Sequence, residues 1–528
     1  MCSTGVGWGC GVRRTACGRF GGFLVLAKGA RRGICGLRRR AVCSRARQNI
    51  TQNDRTQSAM DTDVAVIGAG VSGCITALCL RRIGLDVVVI DRASAVALGA
   101  SLVAGRLHYG GMYFKEFVRE GHTRSGTDCI LAAAAFHTML RGDIWAEDAG
   151  TSYIVSNDST EGDEDLMVAF HQSLEESRAA LAQRYSPFDL PKLPSRRLNE
   201  PERERYRRIS GGVRTTEPGV STAKLAVGLR DLLIEEGASL LLSHDVNRVE
   251  RLRAPTHFAI ACKGPTGASV VRSRAVVQCA GIFGPQLDAM LGVHTPCTIT
   301  LKGATLLQLT APAIAVPSTY LVAGGSFNYH RRGPSTLPSN GMLVVGGDDA
   351  KEVASVRLPL AESFEVPSAW FNWLDDRAGR DEWQGRARQS VSRASEFIPS
   401  LEALEPIAFV ARGVVSHDRA RHSRTHVNVY HESDGYLATA CVKLSSAPLL
   451  ALDVARRIGA FLGAGREYMK QFEPAWQATK PALVPSAFCF LLSPNQADAL
   501  SFAEKHGLTR ELVPGLRAMT DWPPWTTV

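Results

Sequence analysis

The sequence predicts an α/β fold, a parallel sheet covered by helices, joined to a second α+β region that carries a mixed sheet. Three observations predict it. Residues 63–91 read as strand, helix and strand within about 30 residues, the length of a βαβ unit. Short apolar runs recur at Ser239–Leu242, Phe258–Cys262 and Ala275–Cys279, as expected of strands buried on both faces. Between these groups, Tyr113–Ser210 is polar and charged, which one covered sheet does not account for. At 528 residues the chain is also too long for one small core.

The elements follow in order. Asp63–Ile67 is an apolar strand that runs into Gly68-Ala-Gly70-Val-Ser-Gly73, and Cys74–Arg82 is a helix ended by Gly84. Asp86–Ile90 is a second buried strand, followed by Asp91. In the polar region, Asp165–Gln183 and the basic Pro201–Arg208 read as helices around a strand at Thr151–Val155. The acidic run Glu161–Asp165 and the segment Ser186–Ser195 read as loops. The sheet pattern resumes with a helix at Thr222–Glu236 and strands at Ser239–Leu242 and Asp245–Arg251, then Phe258–Cys262 and Ala275–Cys279. Thr298–Leu309 and Met342–Gly346 read as strands of a mixed sheet, and Asp376–Ala394 as a charged helix. Val427–Tyr430 and Tyr436–Val442 form a hairpin about Asp434-Gly435, a favoured turn pair, and Leu449–Leu462 is the last helix.

The formal charge of +10 would suit a nucleic-acid partner, but its location removes that argument. Residues 1–60 hold 11 Arg and 1 Lys against the single acid Asp54, so the other 468 residues sum to −1. A neutral body predicts no nucleic-acid partner. The Arg-, Gly- and Ser-rich leader has the composition of a transit peptide, which predicts a mitochondrion or another organelle. A disordered basic arm has the same composition, and translation from Met60 would predict a cytoplasmic protein. No apolar run is long enough for a transmembrane segment; Leu483–Leu492 is the longest candidate and contains Pro485. Of 13 cysteines five lie in the leader and the rest show no C-x-x-C spacing, so a reducing compartment and no metal site are expected.

The glycine segment carries the chemistry. Gly68 allows the tight turn out of the strand, Gly70 lets the backbone approach a pyrophosphate, and Gly73 lets helix and strand pack closely. Ser72 sits at the helix N-terminus, whose free N–H groups and dipole favour phosphate. Asp91 follows Gly73 by 18 residues, the distance at which a carboxylate holds ribose hydroxyls and disfavours a 2′-phosphate; Arg92 comes next. This pattern specifies a dinucleotide and leaves NAD and FAD both open.

Later segments resemble the D-amino-acid oxidase/glycine oxidase superfamily, which includes flavin-dependent glycerol-3-phosphate and L-2-hydroxyglutarate dehydrogenases. Gly99–Tyr113 is similar to the family's small-residue loop along the flavin, which implies contacts from Ser101, Gly105 and His108. Gly211–Arg251 resembles the helix-and-strand block that leads to the adenine, with Val246 at the matching position. Cys279-Ala280-Gly281 resembles the strand end that closes over the nucleotide, and Tyr436–Pro448 the strand-to-helix turn under the flavin, with Lys443 and Ser445. Two departures bear on substrate: Cys441-Val442 replaces a glycine pair, and Arg412-Gly413 replaces an Arg-Pro pair.

The resemblance implies a Rossmann-like FAD-binding domain built from 61–112, 211–297 and 411–465. It implies a substrate or cap domain from 113–210 and 298–410, and leaves the tail 466–528 without a role. The implied activity is FAD-dependent oxidation of a small amino acid or hydroxy acid, with oxygen or a quinone-type carrier as electron acceptor. Lys443 is a candidate to hold positive charge beside the flavin. His108 is a candidate base for a substrate hydroxyl, or a ring contact, or a structural histidine. Arg412 is a candidate to grip a substrate carboxylate, with Arg419, Arg421 and Arg424 close by. An NAD-dependent dehydrogenase and a flavin-containing RNA-modification or assembly factor are the competing readings.

Overall fold

A computed structural model of the protein describes residues 59–97, 107–121, 124–140, 150–184, 192–220, 222–253, 257–308, 317–325, 327–332, 342–347, 354–358, 377–404, 406–417, 427–441 and 444–465. All belong to the compact unit Gln57–Val528. Residues 1–58 and 466–528 lie outside the described residues.

The predicted βαβ unit forms: β1 (Ala59–Ile67), α1 (Val71–Arg82) and β2 (Val87–Asp91), with β1 and β2 parallel and Val64 opposite Val87. The helix starts three residues before the apolar pattern does, because Val71 and Gly73 are themselves buried against the turn. The polar region holds α2 (Phe114–Glu120), α3 (Arg124–Met139), β3 (Thr151–Ser156), α4 (Glu164–Arg184), β4 (Ser195–Arg197), α5 (Glu200–Arg203) and β5 (Ile209–Thr215). Two expectations are corrected here. Glu164, expected in a loop, opens α4 together with Asp165, where acids complement the helix dipole. The helix expected over 201–208 is the single turn α5, started by a capping box between Asn199 and Glu202. It stops because Tyr206 turns into the core and Arg208 takes φ 53°.

Next come α6 (Thr222–Glu235), β6 (Ser239–Leu242), β7 (Asp245–Arg251), β8 (Phe258–Gly264), β9 (Gly267–Gln278) and α7 (Gly284–Met290). They lead to β10 (Cys297–Gln308), β11 (Ser318–Ala323), β12 (Phe327–Arg332), β13 (Met342–Gly347), β14 (Ala354–Leu358), α8 (Arg377–Ser395) and β15 (Pro406–His417). The chain closes with β16 (Val427–Ser433), β17 (Tyr436–Cys441) and α9 (Ala447–Leu462). The β16–β17 hairpin turns at Asp434 and Gly435, both at positive φ (43° and 83°), as a two-residue turn matched to strand twist requires.

Two sheets result. The first has the order β16-β17-β9-β1-β2-β6, with β7 and β8 attached antiparallel through β9. Its centre, β17-β9-β1-β2-β6, is parallel. β9 shows how sequence follows position: its outer half alternates where it pairs with β8, and Ala275–Gln278, between β1 and β17, is buried throughout. Val64 and Val66 of β1 face a core with α1, α3 and α9, while Ala65 and Ile67 face one with Phe258 and Leu287. The second sheet runs β14-β10-β13-β12-β11-β3-β5-β4, with β15 along β10, and is antiparallel except for β11 beside β3. It is the mixed sheet the sequence predicts, and α8 packs on it through Val391 and Ala394, with Phe397 just beyond the helix in the same core. β5 and β15 pair in this second sheet, so the chain leaves it after 215 and again after 417, a few residues beyond 211 and 411. No helix among the described residues is long and apolar enough to cross a membrane.

Candidate active site

Parallel strands deliver their C-terminal ends to one edge of the first sheet, and the glycine turn lies there. The Gly68 N–H donates to the Ile90 carbonyl (2.8 Å) and the Cys279 N–H to the Ile67 carbonyl (2.8 Å), so the ends of β1, β2 and β9 are tied together. Gly68 sits at φ 109°, and a Cβ there would lie 2.4 Å from the Cys279 carbonyl oxygen. A Cβ on Gly73 would lie 1.8 Å from the Gly68 oxygen, so only glycine permits this strand–helix approach. Gly70 and Gly281 differ: a Cβ on either meets no atom of the described residues within 4 Å. Two glycines therefore pack on protein, and two face open space where backbone can meet a ligand.

The side chains at this edge suit a dinucleotide. Ser445 buries a hydroxyl that has no hydrogen-bond partner among the described residues, and the buried Ser72 hydroxyl has only the weakly bonding Cys279 thiol beside it. Leaving a buried hydroxyl such as that of Ser445 unmatched costs about 1–3 kcal/mol, which a phosphate or ring acceptor would offset. The Asp91 carboxylate accepts from the Ala69 N–H within the glycine turn and from the Ala93 N–H (2.7 Å), which fixes it at the end of β2. The Arg92 guanidinium lies over the Phe283 ring, 3.4 Å from its centroid, and so links β2 to the turn carrying Ala280 and Gly281. Ser243 and His244 donate to the Ala93 and Asp91 carbonyls (2.8 and 2.9 Å), which brings the start of β7, with Val246, to the same edge. Thr439 of β17 donates to the Gln278 carbonyl (2.7 Å) and draws in the strand before Ser445.

A second cluster, of polar and aromatic groups, forms where the segment after β2 meets the second sheet. His108 Nδ1 lies 3.3 Å from Glu217 Oε1 and 3.5 Å from the Tyr320 hydroxyl, with the Tyr320 ring edge-on at 5.7 Å. Tyr153 of β3 donates its hydroxyl to Glu217 Oε2 and stacks on Tyr320 at 5.3 Å. His171 of α4 packs on Tyr153 at 5.2 Å, and burial pushes its imidazole down to about 4, against the pull of Glu217. It is therefore neutral at neutral pH.

The predicted site residues divide accordingly. Gly68, Gly70, Ser72, Gly73, Asp91, Arg92, Val246, Ala280, Gly281 and Ser445 gather around one sheet edge, and His108 belongs to the second cluster. Ser101, Gly105 and Lys443 lie outside the described residues. Arg412 lies in β15 opposite Lys302, and its side chain is outside the description. Glu217, Tyr153, Tyr320 and His171 are absent from the predicted set. Glu217 stands alone in Thr216-Glu217-Pro218 with no periodic partner, and the groups it meets are 64 and 109 residues away. Only its position as a lone acid between the apolar Val213 and Val220 could have drawn notice.

Known proteins bear on this arrangement. Glycine oxidase from Geobacillus kaustophilus has the same fold at TM-score 0.50 and 16% identity, over 75% of this chain and 95% of its own. NikD, an amino acid oxidase essential for nikkomycin biosynthesis, gives TM-score 0.49 and 17% identity over 76% and 94%. Glycerol-3-phosphate dehydrogenase from Bacillus halodurans, complexed with FAD, gives 0.48 and 13% over 76% and 65%. A comparison with curated protein sequences finds no match. The sequence matches the FAD dependent oxidoreductase (DAO) family over residues 63–457, which removes the NAD reading. The chain thus belongs to the DAO family of FAD-dependent oxidoreductases, and FAD is its cofactor.

Proposed function

We propose that this enzyme oxidises a small amino acid or hydroxy acid at its CH–NH or CH–OH carbon, passing electrons on to oxygen or a quinone-type carrier. Bound FAD supplies the hydride acceptor. Gly68, Gly70, Ser72, Gly73, Asp91, Arg92, Val246, Ala280, Gly281 and Ser445 would hold it, and the family resemblance adds Ser101, Gly105 and Lys443. In this reading His108 takes the substrate proton, Arg412 grips the carboxylate and Lys443 supports negative charge on the reduced ring.

One observation carries the proposal. A partly exposed imidazole stands against Glu217, which Tyr153 also binds, and Tyr320, on the segment that joins the nucleotide edge to the second sheet. Such a group can hold and release a proton beside a redox centre. The test is anaerobic mixing of the yellow holoprotein with a panel of amino and hydroxy acids. Bleaching of the flavin absorbance by one chemical class supports the proposal. A flavin that no member of the panel reduces, although dithionite does, would overturn it.

A further inference from the structure

Glu217 is an expensive residue to place where it is. Its side chain is 2% exposed, and a buried carboxylate is tolerated only when its oxygens are matched. The second sheet holds it firmly. Thr151 Oγ1 donates to its carbonyl (3.1 Å), its own N–H donates to Thr215 Oγ1 (3.4 Å), and Tyr153 donates to Oε2. The other oxygen, Oε1, is turned to His108 Nδ1 at 3.3 Å. His108 keeps 18% of its side chain exposed, so a fixed buried carboxyl group stands behind an imidazole that solvent or substrate can reach.

We propose that Glu217 is a positioning residue for His108, selecting the tautomer protonated on Nδ1 and raising the basicity of Nε2 on the opposite edge of the ring. This rests on the reading of His108 as the base. An anionic acceptor beside Nδ1 favours a proton there, which leaves Nε2 with its lone pair; the Tyr320 hydroxyl, at 3.5 Å, is the weaker neighbour of that nitrogen. The imidazolium formed when Nε2 takes a proton is then stabilised by the charge of Glu217. The bonds balance: the substrate's O–H or N–H bond breaks toward Nε2, its C–H hydride leaves with two electrons for FAD, and a C=O or C=N bond forms. Among the described residues, the other titratable groups facing the pair are Tyr320 from β11, Tyr153 from β3 and His171 from α4, which burial keeps neutral.

Two measurements on the holoenzyme test this. ¹⁵N NMR of labelled histidines, with His108 assigned from His108→Gln, needs no substrate. A protonated Nδ1 with an unprotonated Nε2 supports the proposal, and the reverse tautomer overturns it even if no Glu217 variant folds. Rapid-reaction flavin reduction is then followed against pH for Glu217→Gln and Glu217→Asp, using whichever acid bleaches the wild type. Glu217→Gln should retain flavin, reduce it about ten- to a hundredfold more slowly at little cost in substrate affinity, and move the acidic limb to lower pH. Glu217→Asp should recover part of the limb. A folded Glu217→Gln with the wild-type rate and limb would make Glu217 a structural tie and nothing more. If no acid reduces the flavin, the proposed function fails, while the tautomer still decides the role of Glu217.

Discussion

Gly70 and Gly73 are three residues apart and do opposite work, which makes them a sensitive probe of the nucleotide edge. A Cβ on Gly73 would press on the Gly68 carbonyl at 1.8 Å, and backbone does not yield as a flexible side chain does. Gly73→Ala should therefore damage the fold itself, seen as a large loss of soluble protein or a Tm drop of the apoprotein. A Cβ on Gly70 meets nothing among the described residues within 4 Å, so Gly70→Ala should leave the apoprotein Tm within a few degrees of wild type. Its flavin-to-protein absorbance ratio should fall, because the added methyl occupies the space through which backbone approaches the pyrophosphate. Equal Tm losses in both variants would contradict this division. The fingerprint was legible in sequence because all its parts lie within 63–92. Glu217 was not, since its meaning comes from Tyr153 and His108, brought to it by the folding of a separate sheet.

Among the elements, strands were easier to read than the helices of the polar region. β1, β2 and β6 are short apolar runs between turn residues, and Asp434-Gly435 marks its hairpin by chemistry alone. α3 escaped because Ala132–Phe136 is buried at every position, so no apolar stripe of helical period separates one face from another. α1 is similar: Cys74–Leu80 is buried without a break, between the sheet, α6 and α9. Its identification rested on the glycine turn before it. A helix enclosed on all sides has no solvent face on which to relax, so Leu78→Ala, at 1% exposure, should cost about 2–5 kcal/mol by denaturant unfolding. A loss below about 1 kcal/mol would mean the core refills around it.

At the scale of the whole molecule, two buried titratable groups oppose each other in their effect on stability. His171 is pushed from 6.5 down to about 4 by burial, so its contribution is full above 6.5 and is lost as pH falls toward 4. Asp288, which accepts from Tyr430 and Tyr436, is pushed up from 3.8 to about 6 by burial. The folded state then holds that proton more tightly, so its contribution is present below 3.8 and lost as pH rises through 6. The two slopes partly cancel in the wild type between pH 4 and 6. Unfolding free energies measured across that range should expose them: relative to wild type, Asp288→Asn should gain stability as pH rises, and His171→Gln should gain it as pH falls. Parallel curves for all three proteins would refute the assignment. By itself the sequence determined the βαβ unit, the glycine turn, the mixed character of the second sheet and the near-neutral charge of residues 61–528 beside a basic first 60. Each depends on residues near in the chain or on composition. Tertiary structure alone decided that β5 and β15 join the second sheet, that Ser445 buries an unmatched hydroxyl, and that Glu217 stands behind His108. Those facts arise from packing between segments far apart in sequence, where one residue's chemistry is set by neighbours that no local pattern can name.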